Sequence, residues 1–230
     1  MLSFSHANLS HILTLSSYNA DMSKLNKSKT GNYHHGNLRE ALISNAVTII
    51  EQDGVQALTL RRVARDTGVS QAAPYSHFRD KNDLISAVCL EGTKWFGEYM
   101  RREAVGKEGS DYLAGLAIGH IRFGLEHRAL FRLMSTTDIS EATADIADAP
   151  EVLTEGYLMM ANALAVSPLS HFGSEQQQLD IPLAWGQVYG LTNLLIEGRI
   201  TPQAHGFDDL ESFIAALVNR FLHNPSLNRP

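Results

Sequence analysis

The sequence predicts an all-α protein of about nine helices, and two observations support that fold class. Apolar residues recur at three- and four-residue spacing along most of the 230-residue chain, as amphipathic helices require. No stretch shows the alternation of apolar and polar residues that a half-buried strand would need. We expect a disordered tail over residues 1–35, a small three-helix domain over 36–81 and a larger helical domain over 82–225.

The small domain has the local signals of two short helices joined by a tight turn. A helix over 37–53 and a link over 55–58 come first. Thr59 is then a good N-cap, because its hydroxyl can accept a hydrogen bond from an orphan amide of the first turn. Gly68 stands where that helix must stop, since glycine tolerates the left-handed conformation. Ser70 is expected to cap the next helix, which completes a helix-turn-helix.

A helix-turn-helix places its second helix in the major groove of DNA. Gln71 can pair bidentately with adenine, and the Ala72 methyl group can contact thymine. Tyr75 and Lys81 carry donors that suit phosphate oxygens. The predicted DNA-contacting residues are Thr59, Arg61, Ser70, Gln71, Ala72, Tyr75, Ser76, His77 and Lys81.

Pro74 lies inside the expected recognition helix. It lacks an amide donor and biases Ala73 away from helical angles, so we predict a short or distorted helix. The identity of the base-reading residues is therefore left open. Our hypothesis is that Gln71 reads bases, whereas Lys81 only anchors phosphate.

The stretch from Thr59 to Leu84 resembles the DNA-binding domain of TetR-type transcriptional regulators. The resemblance covers about residues 36–101. It rests on Thr59, Val63–Ala64, Gly68–Val69–Ser70, Tyr75, His77–Phe78, Lys81 and Leu84. It implies a transcriptional regulator that binds an operator in double-stranded DNA.

A second resemblance lies near the other end of the chain. The segment Ala184 to Arg199 is similar to the WHG-type C-terminal domain of some TetR-type regulators, with Tyr189 in place of the usual histidine. This resemblance implies a homodimer formed through the last two helices and a small-molecule effector of unknown identity. Gly186 and Gly190 are four residues apart and would let helices of two subunits approach closely. The alternative is that these glycines serve packing within one subunit.

The helices of the larger domain follow from caps and breaks in the pattern. Asp80 can cap a long helix from Lys81 to about Arg102, which would connect the two domains. The further helices are expected over 110–125 with Ser110 as cap, 127–134, 148–165, 174–199 and 208–222, with a polar loop over 136–147 and a link over 167–173.

Effector contacts are expected from aromatic and sulfur-containing residues of these helices, with a few polar anchors. The candidates are Trp95, Tyr99, His120, Phe123, Phe131, Met134, Met159, Trp185 and Tyr189. Tyr157 and Met160, and the polar Asn162 and Gln187, belong to the same wider set. Ordinary core packing is the alternative for each of these residues.

The charge is unevenly distributed, although the chain as a whole carries −6. Residues 21–81 hold nine Lys or Arg and six Asp or Glu, a net +3, whereas residues 82–230 hold ten and nineteen, a net −9. A basic DNA-reading domain on an acidic body is compatible with DNA binding, because only charges that face phosphate release counterions. Lys24, Lys27 and Lys29 would form a weak basic arm in the tail.

Enzymatic function is not expected, because the sequence has no glycine-rich phosphate loop, nucleophile elbow or Cys-x-x-Cys motif. We expect no cofactor and no metal, since His34–His35 have no further ligand at a useful spacing. The single cysteine, Cys89, agrees with a reducing cytoplasm, and no stretch is apolar enough to span a membrane. A ligand-responsive repressor is the preferred function. A transcriptional activator or a DNA-bound scaffold without a ligand is the alternative.

Overall fold

The computed structural model describes residues 38–139, 149–166 and 177–222. Within those ranges the chain forms eight α-helices and no strand, so the predicted all-α class is confirmed. The helices are α1 (Leu38–Asp53), α2 (Leu60–Thr67), α3 (Lys81–Ala104), α4 (Gly109–Glu126), α5 (Arg128–Thr136), α6 (Ala149–Val166), α7 (Gln177–Ile196) and α8 (Leu210–Leu222). All described residues after Leu38 belong to one compact unit. The predictions for the tail, the basic arm, His34–His35, the link over 167–173, Asp148 and Ser174 fall outside the described residues.

Helices α1 and α2 form as the sequence predicts. The Thr59 hydroxyl accepts a hydrogen bond of 3.1 Å from the Arg62 amide, which caps α2. Gly68 ends α2 with a φ of 78°, and its amide donates to carbonyls of the last turn. The inner face of the pair is fully buried, including Ile50 and Val63.

The expected recognition helix is reduced to a 3-10 helix, Ala73–Ser76. The Ser70 side chain does not cap it: no side-chain cap bond is present, and only the Ser70 carbonyl accepts, from the Ala73 amide at 3.0 Å. Pro74 is buried and lies at the start of this segment, where the lack of an amide donor does least harm. The distortion that proline predicts is therefore present, and the helix is shorter than the cap at Ser70 would have required.

Helix α3 carries the chain from the small domain into the larger one. Asp80 caps it by accepting a 2.9 Å hydrogen bond from the Asp83 amide, as predicted. The next helix, α4, begins at Gly109 after Glu108, so Ser110 lies inside the helix and is not its cap. Gly109 has a φ of 55°, a conformation that favours glycine, and the helix begins there, one residue before the cap that the sequence predicted at Ser110.

Helix α4 is the centre of the larger domain and packs against α3, α6, α7 and α8. Its approach to α3 is so close that a Cβ added to Gly119 would lie 2.5 Å from the Tyr99 carbonyl oxygen. Asp209 caps α8 by accepting a 2.8 Å hydrogen bond from the Ser212 amide. No helix within the described ranges combines the length and the hydrophobicity that a membrane span requires.

Candidate functional site

The turn between α2 and α3 presents a compact polar surface. Gln71, Ala72 and Ser76 are exposed, and Tyr75 exposes 56% of its surface. The structure thus brings these predicted contacts together on one short segment. The Ser76 hydroxyl donates to the Ala73 carbonyl at 2.7 Å, so it is already oriented by the backbone.

The basic residues of α2 differ in their surroundings. Arg62 is ion-paired with Asp53 and Asp66 and is only half exposed. Arg61 is exposed and points away from the buried face of the helix, beside the exposed cap residue Thr59. Arg61 is therefore the guanidinium of α2 best placed for a nucleic-acid contact.

Lys81 and His77 are less accessible than an anchor for phosphate should be. The Lys81 ammonium donates a 2.9 Å hydrogen bond to the Val55 carbonyl, so its first partner is the protein itself. An ammonium has three donors, which leaves two for a phosphate. His77 is half-buried beside Phe78, whose own ring is buried under the Arg39 guanidinium. Phosphate contact by Lys81 and His77 stays a prediction, with a structural role added for Lys81.

The larger domain contains a partly open cavity of about 640 Å³ between α3, α4, α5, α6 and α7. That volume is typical of sites for drug-sized ligands. The lining residues are Cys89, Thr93, Phe96, His120, Phe131, Met134, Ser135, Thr137, Asp138, Ile139, Leu153, Gly156, Tyr157, Trp185 and Tyr189.

Five of the nine predicted effector contacts line this cavity: His120, Phe131, Met134, Trp185 and Tyr189. Tyr157, from the wider set, also lines it.

The other four candidates, Trp95, Tyr99, Phe123 and Met159, lie outside the lining. The Trp95 indole donates to Glu91 at 3.1 Å and packs against His127. The Tyr99 hydroxyl donates to Glu126, and burial is the main cause that raises its pKa. Phe123 is a fully buried core residue, and Met159 is half-buried.

Three lining residues on α3 were not among the predicted contacts. Cys89, Thr93 and Phe96 follow one another at helical spacing, so they form one stripe of that helix. The aromatic residues Trp95 and Tyr99 drew attention to a neighbouring stripe instead. Only the packing of the neighbouring helices identifies which face of α3 lines the cavity.

His120 is the most unusual group of the cavity. Its side chain exposes 1% of its surface, and neither ring nitrogen has a hydrogen-bond partner within the described part of the chain. Burial lowers the pKa of this imidazole to about 3, so it is neutral at physiological pH. Cys89 is also buried in the lining, and burial raises its pKa to about 11, which keeps the thiol protonated.

A direct contact joins α1 to the cavity wall. The Glu51 carboxylate of α1 accepts hydrogen bonds from the amides of Ala129 and Leu130, at 3.2 and 3.0 Å. These amides belong to the first turn of α5, whose later turns carry Phe131 and Met134 into the cavity. Burial is the main cause that raises the pKa of Glu51, and the two backbone bonds and Arg128 oppose that shift.

One face of α7 carries apolar residues that the chain leaves exposed. Leu179 and Leu183 each expose 62% of their surface, and Leu194 exposes 41%. Gly186 and Gly190 fall on the same face, since all five positions follow helical spacing. Nothing in the described chain lies within 4 Å of a Cβ built on either glycine. The described residues contain no group of three His, Cys, Asp or Glu side chains able to hold a metal.

Comparison with known proteins gives matches to regulators of transcription. Residues 42–88 match the family model described as bacterial regulatory proteins of the tetR family. The tetracycline repressor protein class D of Escherichia coli is 26% identical over 136 residues, which cover 58% of this chain and 62% of that protein. The class C repressor of Escherichia coli is 42% identical over 50 residues, or 22% of this chain and 23% of that protein.

The match to the class D repressor spans less than two thirds of that repressor's length. Among solved structures, a protein with unknown function from Rhodococcus sp. RHA1 superposes with a TM-score of 0.65 at 25% identity, covering 84% of this chain and 95% of that protein. The family model thus covers most of α1, all of α2 and the first turns of α3, and the fold likeness extends through most of the chain.

Proposed function

We propose that this chain, a TetR-type transcriptional regulator, represses transcription as a dimer that leaves its operator when a small molecule enters the cavity. The observation that carries the proposal is the exposed turn with Gln71, Ala72 and Tyr75, held beside α2 in a segment that matches the family model. Side chains at this place in a helix-turn-helix face base edges and phosphates. A DNA-binding regulator acts where the genome is, so we expect it in the cytoplasm.

The exposed face of α7 supports dimer formation. Leu183 and its neighbours on that face are too apolar to be left in water in a stable monomer, and Gly186 and Gly190 leave room for a second helix. The absence of any atom near the glycine Cβ positions within the described chain argues against packing inside one subunit. A two-fold axis through α7 and α8 would set two reading domains about one turn of DNA apart, on an inverted repeat.

Sedimentation of wild-type protein and of Gly190→Arg tests the dimer. The wild type should sediment as a dimer at micromolar concentration, and the variant as a folded monomer, because the arginine has no space at a close helix contact. Asp111→Ala, an exposed position on α4 outside the proposed interface, is a suitable control. A monomeric wild type would contradict the dimer.

Signal transfer has two physical routes through the helices. Helix α3 joins the reading domain to the body and lines the cavity with Phe96. Glu51 holds the first turn of α5, whose Phe131 lines the same cavity. A ligand that binds a shifted arrangement of these helices more tightly than the DNA-bound arrangement will lower the affinity for the operator. The size of that decrease is limited by the difference in the ligand's affinity for the two arrangements.

Two variants distinguish the role of base reading from that of phosphate anchoring. Gln71→Ala should change sequence preference, whereas Lys81→Ala should weaken specific and random DNA by the same factor. Lys81→Ala also removes the bond to Val55, so its melting temperature is measured as a control for folding. Equal losses on operator and random DNA for both variants would refute the division of roles.

A further inference from the structure

The cavity lining contains a buried polar group whose hydrogen-bonding capacity the described residues leave unused. His120 is almost fully buried on α4, and both ring nitrogens lack a partner within the described residues. Buried polar side chains in native proteins nearly always have such a partner. Because His120 also lines the cavity, a molecule in the cavity is the partner in reach of it.

The walls around His120 are aromatic. Its ring centroid lies 5.0 Å from that of Phe96, 5.4 Å from Trp185 and 5.6 Å from Phe131, all in edge-to-face geometry. Tyr189 extends this wall with a ring 5.6 Å from Phe131. Aromatic side chains stack favourably on flat aromatic molecules and contribute large apolar contact areas. The shape and chemistry of the wall therefore favour a flat, largely apolar ligand.

The described lining of the cavity offers no positive charge to an anion. None of its described lining residues is lysine or arginine, and Asp138 contributes an acid. The two internal gaps in the described chain, residues 140–148 and 167–176, contain no lysine or arginine in their sequence. His120 itself is neutral, because burial holds its pKa near 3. A carboxylate or phosphate in this cavity would be desolvated without a cationic partner, which is strongly unfavourable.

We infer that the cavity takes an uncharged aromatic molecule whose hydroxyl or carbonyl group hydrogen-bonds to His120. A neutral imidazole has one donor and one acceptor nitrogen, so it serves either group. This assignment deepens the proposed function, because it names the class of effector for the cavity. It is tested by binding alone, without DNA, so that its outcome is independent of the proposed repression.

The test is equilibrium dialysis of the full chain against three probes that share one ring system: 2-naphthol, naphthalene and 2-naphthoate. We expect 2-naphthol to bind about tenfold more tightly than naphthalene, which is the usual worth of a buried hydrogen bond to an otherwise unpaired group. The naphthoate anion should bind at least about tenfold more weakly than 2-naphthol.

Variants at His120 assign the preference to its ring. In His120→Phe the ratio of naphthol to naphthalene affinity should fall to about one, since the partner of the hydroxyl is gone. His127→Phe is the matched control, because His127 is a half-buried histidine that also contacts aromatic rings but does not line the cavity. Its ratio should stay near the wild-type value. His120→Leu gives a second variant if phenylalanine proves too large.

The chain has two tryptophans, and they report the place of binding. Trp185 lines the cavity and Trp95 does not. In a ¹H–¹⁵N spectrum, 2-naphthol should shift the Trp185 indole signal and leave that of Trp95 unchanged, with Trp95→Phe to assign the two.

Three results would overturn the inference: naphthoate binding as tightly as naphthol, a naphthol preference that survives in both His120 variants, or binding of none of the probes up to their solubility. By contrast, naphthol could bind through His120 and leave the affinity for DNA unchanged. That result would support the inferred ligand class and refute the proposal that a ligand releases the repressor from DNA.

Discussion

Replacing Glu51 should uncouple the DNA-reading domain from the cavity wall, at a measurable cost in stability. Glu51 accepts two backbone hydrogen bonds from the first turn of α5, at 3.2 and 3.0 Å. A charged acceptor strengthens such bonds, and its place at a helix N-terminus adds a favourable dipole interaction. Loss of an N-terminal cap costs about 0.5–2 kcal/mol. Because two bonds are lost, Glu51→Ala should lie at the upper end of this range, about 2 kcal/mol. The loss should not be larger, because the burial that raises the pKa of Glu51 offsets part of the gain from the bonds.

Urea unfolding at fixed protein concentration measures this change in the free energy of unfolding. Glu51→Gln serves as an intermediate variant. Glutamine keeps one accepting oxygen but replaces the other with an NH2 group that cannot accept, so one of the two bonds is lost, at about 1 kcal/mol. For a chain of this size, Glu51→Ala should melt about 4–8 °C lower. Glu40→Ala, an exposed carboxylate on the same helix, should change stability by less than about 0.5 kcal/mol. The reasoning is refuted if Glu51→Ala destabilises no more than Glu40→Ala. The coupling is refuted if the ligand still releases DNA from Glu51→Ala as fully as from wild type.

Three further predictions concern the core of the larger domain. Burial lowers the pKa of His120 to about 3 and that of His127 to about 4, from 6.5, so each contributes stability above pH 6.5 that is lost as the pH falls. Together they should lower the free energy of unfolding by about 2.7 kcal/mol between about pH 7.5 and about pH 5.5, and His120→Phe should remove about half of that loss in urea melts. At pH 7.5 the same His120→Phe should unfold at a higher urea concentration than wild type, because it removes an unsatisfied buried polar group, and an unfolding midpoint below that of wild type would contradict this. Gly119→Ala should lose about 1–3 kcal/mol despite the better helix propensity of alanine, since its Cβ would meet backbone of α3, whereas the exposed Asp111→Ala should change little.

The features predicted correctly from the sequence are those determined within a few residues along the chain. Thr59, Gly68 and Asp80 act within one helical turn of themselves, so their residue type is enough to predict a cap. Pro74 also acts locally, and it predicted the distortion of the recognition segment. The prediction that Ser70 caps a helix was wrong, because Pro74 shortens the segment that follows Ser70 to a 3-10 helix of one turn.

The features missed depend on contacts between distant parts of the chain. Phosphate contact by Lys81 stays a prediction, but nothing local indicates that Val55, 26 residues earlier, also accepts a hydrogen bond from it. Glu51 meets α5 at a separation of 78 residues, which no local pattern reveals. On α3, residue type favoured Tyr99, whereas the packing of five helices placed Phe96 at the cavity. From the sequence alone, several faces of α3 could have lined the cavity, and only the packing of the other helices shows which one does.

Selection of bound sequences from random duplex DNA tests the central claim most directly, because the operator sequence need not be known beforehand. A dimeric reading protein should enrich an inverted repeat whose half-sites lie about one helical turn apart. Binding to the enriched sequence should weaken when a ligand occupies the cavity, and Gln71→Ala should enrich a different half-site. Recovery of sequences without any shared motif, from protein that is folded and dimeric, would contradict the assignment of this chain as a sequence-specific repressor.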